Sequence, residues 1–506
     1  MRYGVNLLGN FEYQSGVAEM ARKLHELLEF IGIPHVCNPV SIAYIKYDGY
    51  IPLLTRQLPY AINIVSFPIN ETPSIFEQYG DIFDRYTIGI QPWETENYVP
   101  PPDHIVSLYD EIWTVSEFCR RVISKSIPQP VKVVNFPIIP QVSTERNNDK
   151  PFTVLYMFSV DSVVDRKNPA LAIEAFRRAF GDGQRLILKS NTKNRQHIRQ
   201  FIDDMIGRTP NHSTSSHSSR FAPNIIHIPD NYSDYERWKL LNECDVYLSP
   251  HASEGLGFTI LEAMSLGKPV VATGYSGNMD FMDNTNSVPV SYEMVPIPDN
   301  TPPYSGTGYW AKPNIDEMAS ALTRLYNDVH YRNRVGKAAK ATIESKLSLV
   351  SCSIQLMRIL PSFVARYGAR DTFKDVTANI ITSGPNLTIA KPYNTIFGDP
   401  IPGVAKTLTI MWQNSSITLK EDQEIDIPLY PHNIRVYYDK DNVTDRFLSL
   451  EDNGVIIIDC EYNLLFGDPR PGIPKTLIIA TDKETFSIPE NRPFKFEIRT
   501  LNVVEG

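Results

Sequence analysis

The sequence predicts an α/β protein of two tandem lobes that face each other, followed by a β-rich C-terminal region with two repeats. Three observations predict this. Short apolar runs alternate with helical periodicity over residues 1–147. The same pattern restarts over 148–366. A string beginning at Tyr393 then recurs from Tyr462, dividing the remainder into 367–432 and 433–506.

In the first lobe, residues 2–8 read as a strand. Val17, Met20, Leu24, Leu27, Leu28 and Ile31 fall at helical spacing over 16–31. Further strands are expected at 61–67, 86–90, 111–115 and 131–134. Residues 147–151 read as a linker. Beyond it, strands are expected at 152–158, 185–189, 224–228, 245–249 and 269–273. Helices are expected at 168–180, near Gln196, at 235–242 and at 258–266, and the Ser/His-rich run 209–220 reads as a loop. Strands alternating with helices imply βαβ units and a mostly parallel sheet. Ligands of such sheets bind beyond the carboxyl ends of the strands, so both lobes present loops to a shared cleft. Helices over 315–367 close the second lobe.

The tail loses helical periodicity and gains β-branched runs. Residues 393–410 match 462–479, and Gly-Asp-Pro-x-Pro-Gly supplies turn chemistry in both copies. Upstream, Tyr367-Gly-Ala-Arg-Asp aligns more weakly with Tyr437-Tyr-Asp-Lys-Asp. Phe397 and Phe466, at matching places, read as core residues.

The formal charge of -9 argues against nucleic-acid binding. Five scattered cysteines, none in C-x-x-C, read as reduced thiols of a cytoplasmic protein. The N-terminus turns polar too soon for a signal peptide, and no apolar run approaches a membrane span. Arg120, Arg121, Lys125 and Lys132 read as a solvated face, allowing at most peripheral membrane contact.

The chemistry concentrates in His251-Ala-Ser-Glu254-Gly255-Leu-Gly257-Phe258-Thr-Ile-Leu-Glu262. A strand ends, two glycines permit close backbone approach, and a helix begins. That helix start offers free N–H groups and a positive dipole end to phosphate. Glu254 lies in the loop, and Glu262 lies about one turn into the helix, where a carboxylate can accept bonds from ribose hydroxyls. The string resembles the E-x7-E signature of glycosyltransferase family 4, within the GT-B fold of two facing Rossmann-like lobes. Gly274-Tyr-Ser276-Gly277-Asn-Met-Asp280 after the next strand resembles that family too, and the resemblance covers residues 1–360.

The resemblance implies a retaining hexosyltransferase that uses a nucleotide-sugar donor of GDP-mannose or UDP-hexose type. The acceptor would be a glycan, a lipid-linked sugar or a protein. Glu254 is then the catalytic carboxylate. Lys167 and Arg166 can neutralise a diphosphate leaving group, although the family separates its Arg and Lys more widely. Glu262, Gly255, Gly257, Phe258, Lys189, Gly16, Ser276 and Gly277 are assigned to the donor, and Glu94 and Asn10 to the acceptor. Glu19 reads as an acid in a first helical turn, His251 as structural or sugar-binding, and Ser116 as a helix cap. His104 is the one first-lobe histidine near the family's usual place, and its surroundings do not match. No His/Cys cluster has zinc spacing and the lone Asp-x-Asp, Asp439–Asp441, reads as a turn, so no metal or other cofactor is expected. The tail repeats are candidates for oligomer or acceptor contacts. Two rival readings are a GT-B nucleotide-sugar epimerase, which would convert donor alone, and a non-catalytic scaffold that works through its tail.

Overall fold

The computed structural model describes the chain apart from residues 42–45, 81, 143–149, 161, 192–200, 203, 208–223, 300, 305–307, 370–371, 381, 384–385, 390–391, 413–414, 422, 424, 429–433, 440, 449, 451–454, 459–461, 468–474, 482–483, 491, 498–501 and 506. The expected helix near Gln196, the loop 209–220, most of the 147–151 linker and Cys460 lie outside the described residues.

The first lobe is a parallel sheet in the order β2-β1-β3-β4-β5-β6. Its strands are β1 (Arg2–Gly9), β2 (His35–Pro39), β3 (Tyr60–Ser66), β4 (Tyr86–Ile90), β5 (Glu111–Thr114) and β6 (Val131–Val133). Helices α1 (Gly16–Phe30), α2 (Thr72–Tyr79), α3 (Asp103–Val106) and α4 (Glu117–Ile123) connect them. Strand β1 is buried along nearly its whole length, as an inner parallel strand must be. Helix α1 starts at the Ser15 cap, whose Oγ accepts from the Ala18 N–H at 3.1 Å. It turns Met20, Leu24, Leu27 and Leu28 into the core. A Cβ at Gly9 would lie 2.6 Å from the Ala21 Cβ, so glycine there lets α1 sit close on β1. Strand β2 was not legible in the sequence. It lies at the sheet edge and needs only one buried face, so its residues, His-Val-Cys-Asn-Pro, carry no apolar run.

The second lobe repeats the design, with order β12-β11-β10-β7-β8-β9 and parallel pairing throughout. Its strands are β7 (Thr153–Ser159), β8 (Arg185–Asn191), β9 (Ile225–Ile228), β10 (Val246–Ser249), β11 (Val270–Thr273) and β12 (Val288–Val290). Its helices are α5 (Val164–Lys167), α6 (Pro169–Ala179), α7 (Asp234–Glu243) and α8 (Phe258–Ser265). A hairpin, β13 (Tyr292–Pro296) with β14 (Tyr309–Pro313), follows, then α9 (Ile315–Asn327), α10 (Val329–Lys346) and α11 (Leu349–Ile359). Helix α11 crosses back to the first lobe and packs on α1. There Asn135 N–H donates to Gln355 Oε1 at 3.1 Å, and Lys132 Nζ donates to the Ile359 carbonyl at 3.2 Å. Two parallel six-stranded sheets flanked by helices constitute the two Rossmann-like lobes of a GT-B fold. No described helix is long and apolar enough to cross a membrane.

The tail is built of antiparallel sheets. It comprises β15 (Val364–Ala369), β16 (Thr372–Asp375), β17 (Thr382–Ser383), β18 (Asn386–Ile389), α12 (Tyr393–Phe397), β19 (Thr407–Trp412), β20 (Ser415–Lys420) and β21 (Ile425–Pro428). It continues with β22 (Arg435–Tyr438), β23 (Asp441–Asn442), α13 (Thr444–Leu448), β24 (Val455–Ile458), α14 (Tyr462–Phe466), β25 (Thr476–Ala480), β26 (Thr485–Pro489), β27 (Phe494–Glu497) and β28 (Asn502–Glu505). One four-stranded sheet runs β16-β15-β19-β20 and the other β23-β22-β25-β26.

The same polar knot sits on each sheet. Tyr367 OH meets Asn394 Oδ1 at 2.9 Å and Glu421 Oε1 at 3.0 Å. Tyr438 OH meets Asn463 Oδ1 at 2.8 Å and Glu490 Oε1 at 2.6 Å. Since Leu408 pairs with Tyr367 and Leu477 with Tyr438, the counterpart of Tyr367 is Tyr438. The alignment to Tyr437 is therefore one residue out of register, which in a strand swaps the two faces. Tyr437 instead turns toward the first lobe and stacks on Phe30, ring centres 5.2 Å apart. Phe397 and Phe466 are buried in the cores of their units.

The tail docks on the first lobe. Tyr3 OH donates to the Pro361 carbonyl at 2.7 Å, Arg366 pairs with Asp84 at 3.2 Å, and Asn442 Nδ2 donates to the Phe30 carbonyl at 2.6 Å.

Candidate active site

The loop between β10 and α8 carries Glu254, and its shape follows from its neighbours. His251 is buried between Ser249 Oγ (2.9 Å) and Asn278 Oδ1 (3.0 Å), so its ring is committed to the scaffold. Gly257 takes φ +91° and turns the chain into α8. The loop after β11 clamps Glu254 from above. Ser276 Oγ accepts from the Glu254 N–H at 2.8 Å, and the Gly277 N–H donates to the Glu254 carbonyl at 2.9 Å. A Cβ at Gly277 would lie 1.9 Å from the Gly255 carbonyl oxygen, an approach only glycine permits. Gly277→Ala is expected to lower stability by about 1–3 kcal/mol and to displace Glu254. The check is a fall in thermal midpoint together with lost turnover, against an unaltered midpoint in Gly181→Ala, where a Cβ meets open space.

Arg166 and Lys167 close on Glu254 from the loop after β7. Lys167 Nζ pairs with Glu254 Oε1, and Arg166 Nη1 stands 3.3 Å from Oε2. Arg166 is almost wholly buried, donating to the Ser253 carbonyl and to Ser162 Oγ, both at 2.6 Å, while its Nε has no hydrogen-bond partner. The two cations end a single helical turn, α5, and stand directly before the Asn168 cap of α6. Val163 (φ 54°) and Asn168 (φ 52°) bracket them in the left-handed region. Asn tolerates that conformation, but a β-branched Val does so only under constraint, on the order of 1–3 kcal/mol.

Burial alone would raise the Glu254 carboxyl, but Lys167 and Arg166 outweigh it and hold the group down at about 2. Burial and then the neighbouring Arg166 push Lys167 the other way, below the usual lysine range. Glu94, in the loop after β4, completes the cluster. Its carboxylate lies 3.8 Å from Arg166 and accepts from Tyr304 OH at 3.0 Å. Thus Glu254, Arg166, Lys167 and Glu94 meet at one point, drawn from both lobes.

Of the predicted donor residues, Gly255, Gly257, Ser276 and Gly277 belong to the Glu254 loop and its clamp, and the others lie outside that cluster. Glu262 is buried and ion-paired with Arg237. Burial raises its carboxyl, and Arg237 partly reverses that. Glu19 is more than a first-turn acid. Burial would raise it, but Lys23, Arg22 and, from the other lobe, Arg237 hold it at about 2. Lys189 is buried at the end of β8, 5.0 Å from the Tyr232 ring, with Nζ donating to Asn191 Oδ1. Phe258 starts α8, 5.9 Å from the Phe136 ring of the first lobe. Gly16 opens α1 with open space at its Cβ position, and Asn10 is buried directly after β1.

The lobes touch directly around this cluster. Ser116 Oγ donates to the Gly255 carbonyl at 2.6 Å, so it serves the interface as well as capping α4. Asp280 accepts from the Glu117 N–H at 2.6 Å, Tyr47 OH donates to Asp234 at 2.5 Å, and Gln14 donates to the Tyr232 carbonyl at 3.2 Å. His104 lies on α3 and contacts none of these groups. Arg120 pairs with Glu117, and Lys132 with Glu111, as side chains of a solvated face and the sheet beneath. Sequence reasoning missed Arg237 and Tyr304. Arg237 had a signal, since it follows β9 in the first turn of a helix and so lies at a strand's carboxyl end. Tyr304 had none.

Residues 144–342 match the family model described as glycosyl transferases group 1. The alpha-1,3/1,6-mannosyltransferase ALG2 of Dictyostelium discoideum is 28% identical over 115 residues, 23% of this chain. That match spans 22% of the relative's own length. Among solved structures, Anabaena Alr3699/HepE in complex with UDP and glucose is similar at 13% identity and TM-score 0.50, over 70% of this chain and 98% of that one. Sucrose-phosphate synthase of Thermosynechococcus elongatus is similar at 12% identity and TM-score 0.50, over 70% and 97%. At such identities the structural likeness speaks to the fold. Taken with the group 1 match, it supports a GT-B glycosyltransferase.

Proposed function

We propose that the chain is a retaining hexosyltransferase of glycosyltransferase family 4. It takes a sugar from a GDP-mannose or UDP-hexose donor and delivers it to a glycan, lipid-linked or protein acceptor. The observation that carries this reading is the Glu254 carboxylate, held ionised between Lys167 and Arg166 where loops of both lobes meet. Two similarities support the donor class: one relative is a mannosyltransferase, and one structural neighbour is in complex with UDP and glucose.

The C1–O bond to the β-phosphate breaks and its electron pair leaves on phosphate oxygen. Lys167, Arg166 and the N–H groups at the start of α8 offset that charge. The acceptor hydroxyl attacks C1 from the same face, and its proton passes to the departing phosphate oxygen. Glu254 orients the sugar hydroxyls and offsets positive charge developing at C1. Glu94 faces the acceptor, and the contact between the lobes excludes water that would otherwise hydrolyse the donor. The diphosphate is handled by side-chain cations and backbone N–H groups, with no required metal. We place the enzyme in the cytoplasm, with the duplicated tail serving acceptor or oligomer contacts.

Calorimetry against a panel of nucleotide sugars and nucleoside diphosphates tests the reading. One donor class is expected to bind and raise the thermal midpoint. Absence of binding by every member would overturn it. Glu262→Gln is expected to raise the donor Kd about tenfold, roughly one hydrogen bond to a charged group. It also frees Arg237 from its carboxylate, so an unchanged Kd would sink the ribose assignment.

A further inference from the structure

His25, His35 and Cys37 bring three ligand atoms within 4.8 Å of one another, on the far part of α1 and on the edge strand β2. His35 and Cys37 are two residues apart in a strand and share a face, and His25 comes down on them from the helix. His25 lies nine residues into α1, roughly 13 Å along the axis from Gly16 and the cleft. The cluster is therefore separate from the sugar site. It was missed in the sequence because its ligands come from two elements and fit no continuous zinc spacing.

The ring nitrogens decide what the cluster can hold. His35 Nδ1 lies 2.8 Å from the Ile33 carbonyl, which accepts only, so Nδ1 carries the proton and Nε2 presents a lone pair. That lone pair points at His25 Nδ1, 2.8 Å away. His25 Nε2 lies 3.7 Å from the Glu29 carboxylate and has no hydrogen-bond partner. A neutral His25 protonated on Nδ1 turns its Nε2 lone pair toward a carboxylate. Protonated on Nε2, it suits Glu29 and leaves two lone pairs facing each other at Nδ1. With both rings neutral, a cation between them satisfies every atom: Nε2–H faces Glu29, both lone pairs coordinate, and the Cys37 thiolate neutralises charge.

The distances agree. Cys37 Sγ lies 3.6 Å from His25 Nδ1. A thiolate at about 2.3 Å and an imidazole nitrogen at about 2.0–2.1 Å on one tetrahedral zinc ion stand about 3.5 Å apart. The two nitrogens need to open by only about 0.5 Å to reach the corresponding spacing. A carboxylate behind a ligating imidazole, as Glu29 stands behind His25, is the usual second-layer partner that orients the ring.

We propose that His25, His35 and Cys37 form a binding site for a zinc-class divalent cation, which clamps α1 to the sheet edge. Binding deprotonates the Cys37 thiol, and that proton leaves to solvent. Cobalt titration of the chelator-treated full chain is the test. One equivalent is expected to bind with a thiolate-to-cobalt charge-transfer band, which zinc then removes by displacement. Cys37→Ser is expected to abolish the band and Cys352→Ser to keep it. A wild-type chain without the band, or a band that survives Cys37→Ser, overturns the site. Should Cys37→Ser fail to fold, His35→Asn on the partly buried ring replaces it. At least a tenfold loss of cobalt affinity is then expected, and unchanged affinity overturns the proposal.

Discussion

Glu254→Gln is expected to lower kcat by about 10²–10³, the range seen when one group aimed at transition-state charge is removed. Nucleoside-diphosphate affinity is expected to hold or rise. The split follows from the pairing. Lys167 Nζ is tied to Glu254 in the free chain, and a bound diphosphate must compete for it. Removing the carboxylate's charge releases Lys167 to phosphate and at the same time removes the group that faces the sugar. The thermal midpoint of the free variant should fall, because Arg166 stays buried and Lys167 partly buried, with only Glu94 near Arg166. Added diphosphate should restore part of that loss. Single-turnover rates with calorimetry on the same preparation check both halves. Unchanged turnover removes Glu254 from the chemistry, and turnover and diphosphate affinity falling together remove the competition.

Lys167→Met is expected to lower kcat/KM by a similar about 10²–10³ and to change the shape of the pH profile. In the native chain Glu254 is held at about 2, with Lys167 the larger of the two cations opposing burial. A depressed carboxyl contributes stability that is present above the ordinary carboxylate range and lost as pH falls through the depressed value. With Lys167 gone, burial weighs more heavily and the carboxyl titrates at higher pH. The variant should therefore gain an acid limb in kcat/KM where the native enzyme stays flat. A variant that is slow at every pH by the same factor would show that Arg166 alone keeps Glu254 ionised.

The inner strands and long helices were legible because parallel sheets demand unbroken apolar runs and α1 demands helical spacing. Of the four sheet edges, β6 and β9 carried enough apolar residues to be read, whereas β2, His-Val-Cys-Asn-Pro, and β12, Val-Pro-Val, were too short or too polar. At the site, Glu254, Arg166 and Lys167 were legible because their loops follow strands and the surrounding glycines are needed for backbone contact; Gly277 against Gly255 is the clearest case. Glu94 was legible only as an acceptor-side carboxylate, and its tie to Tyr304 required the fold. Arg237 carried only the signal of a helix start after β9, and the His25–His35–Cys37 cluster was hidden because its residues, close in sequence, come from a helix and a strand and fit no ligand spacing. The register slip between Tyr437 and Tyr438 has another origin. Two adjacent tyrosines look alike in a sequence and face opposite sides of a strand.

The tail follows the second lobe in the chain yet rests on the first, through Pro361, Arg366, Tyr437 and Asn442. Any movement of one lobe against the other therefore leaves the tail in place on the first lobe, at a constant distance from the loops after β1 and β4. Whatever binds the tail is measured against the first lobe alone, as work stays fixed in a vice while the tool is changed.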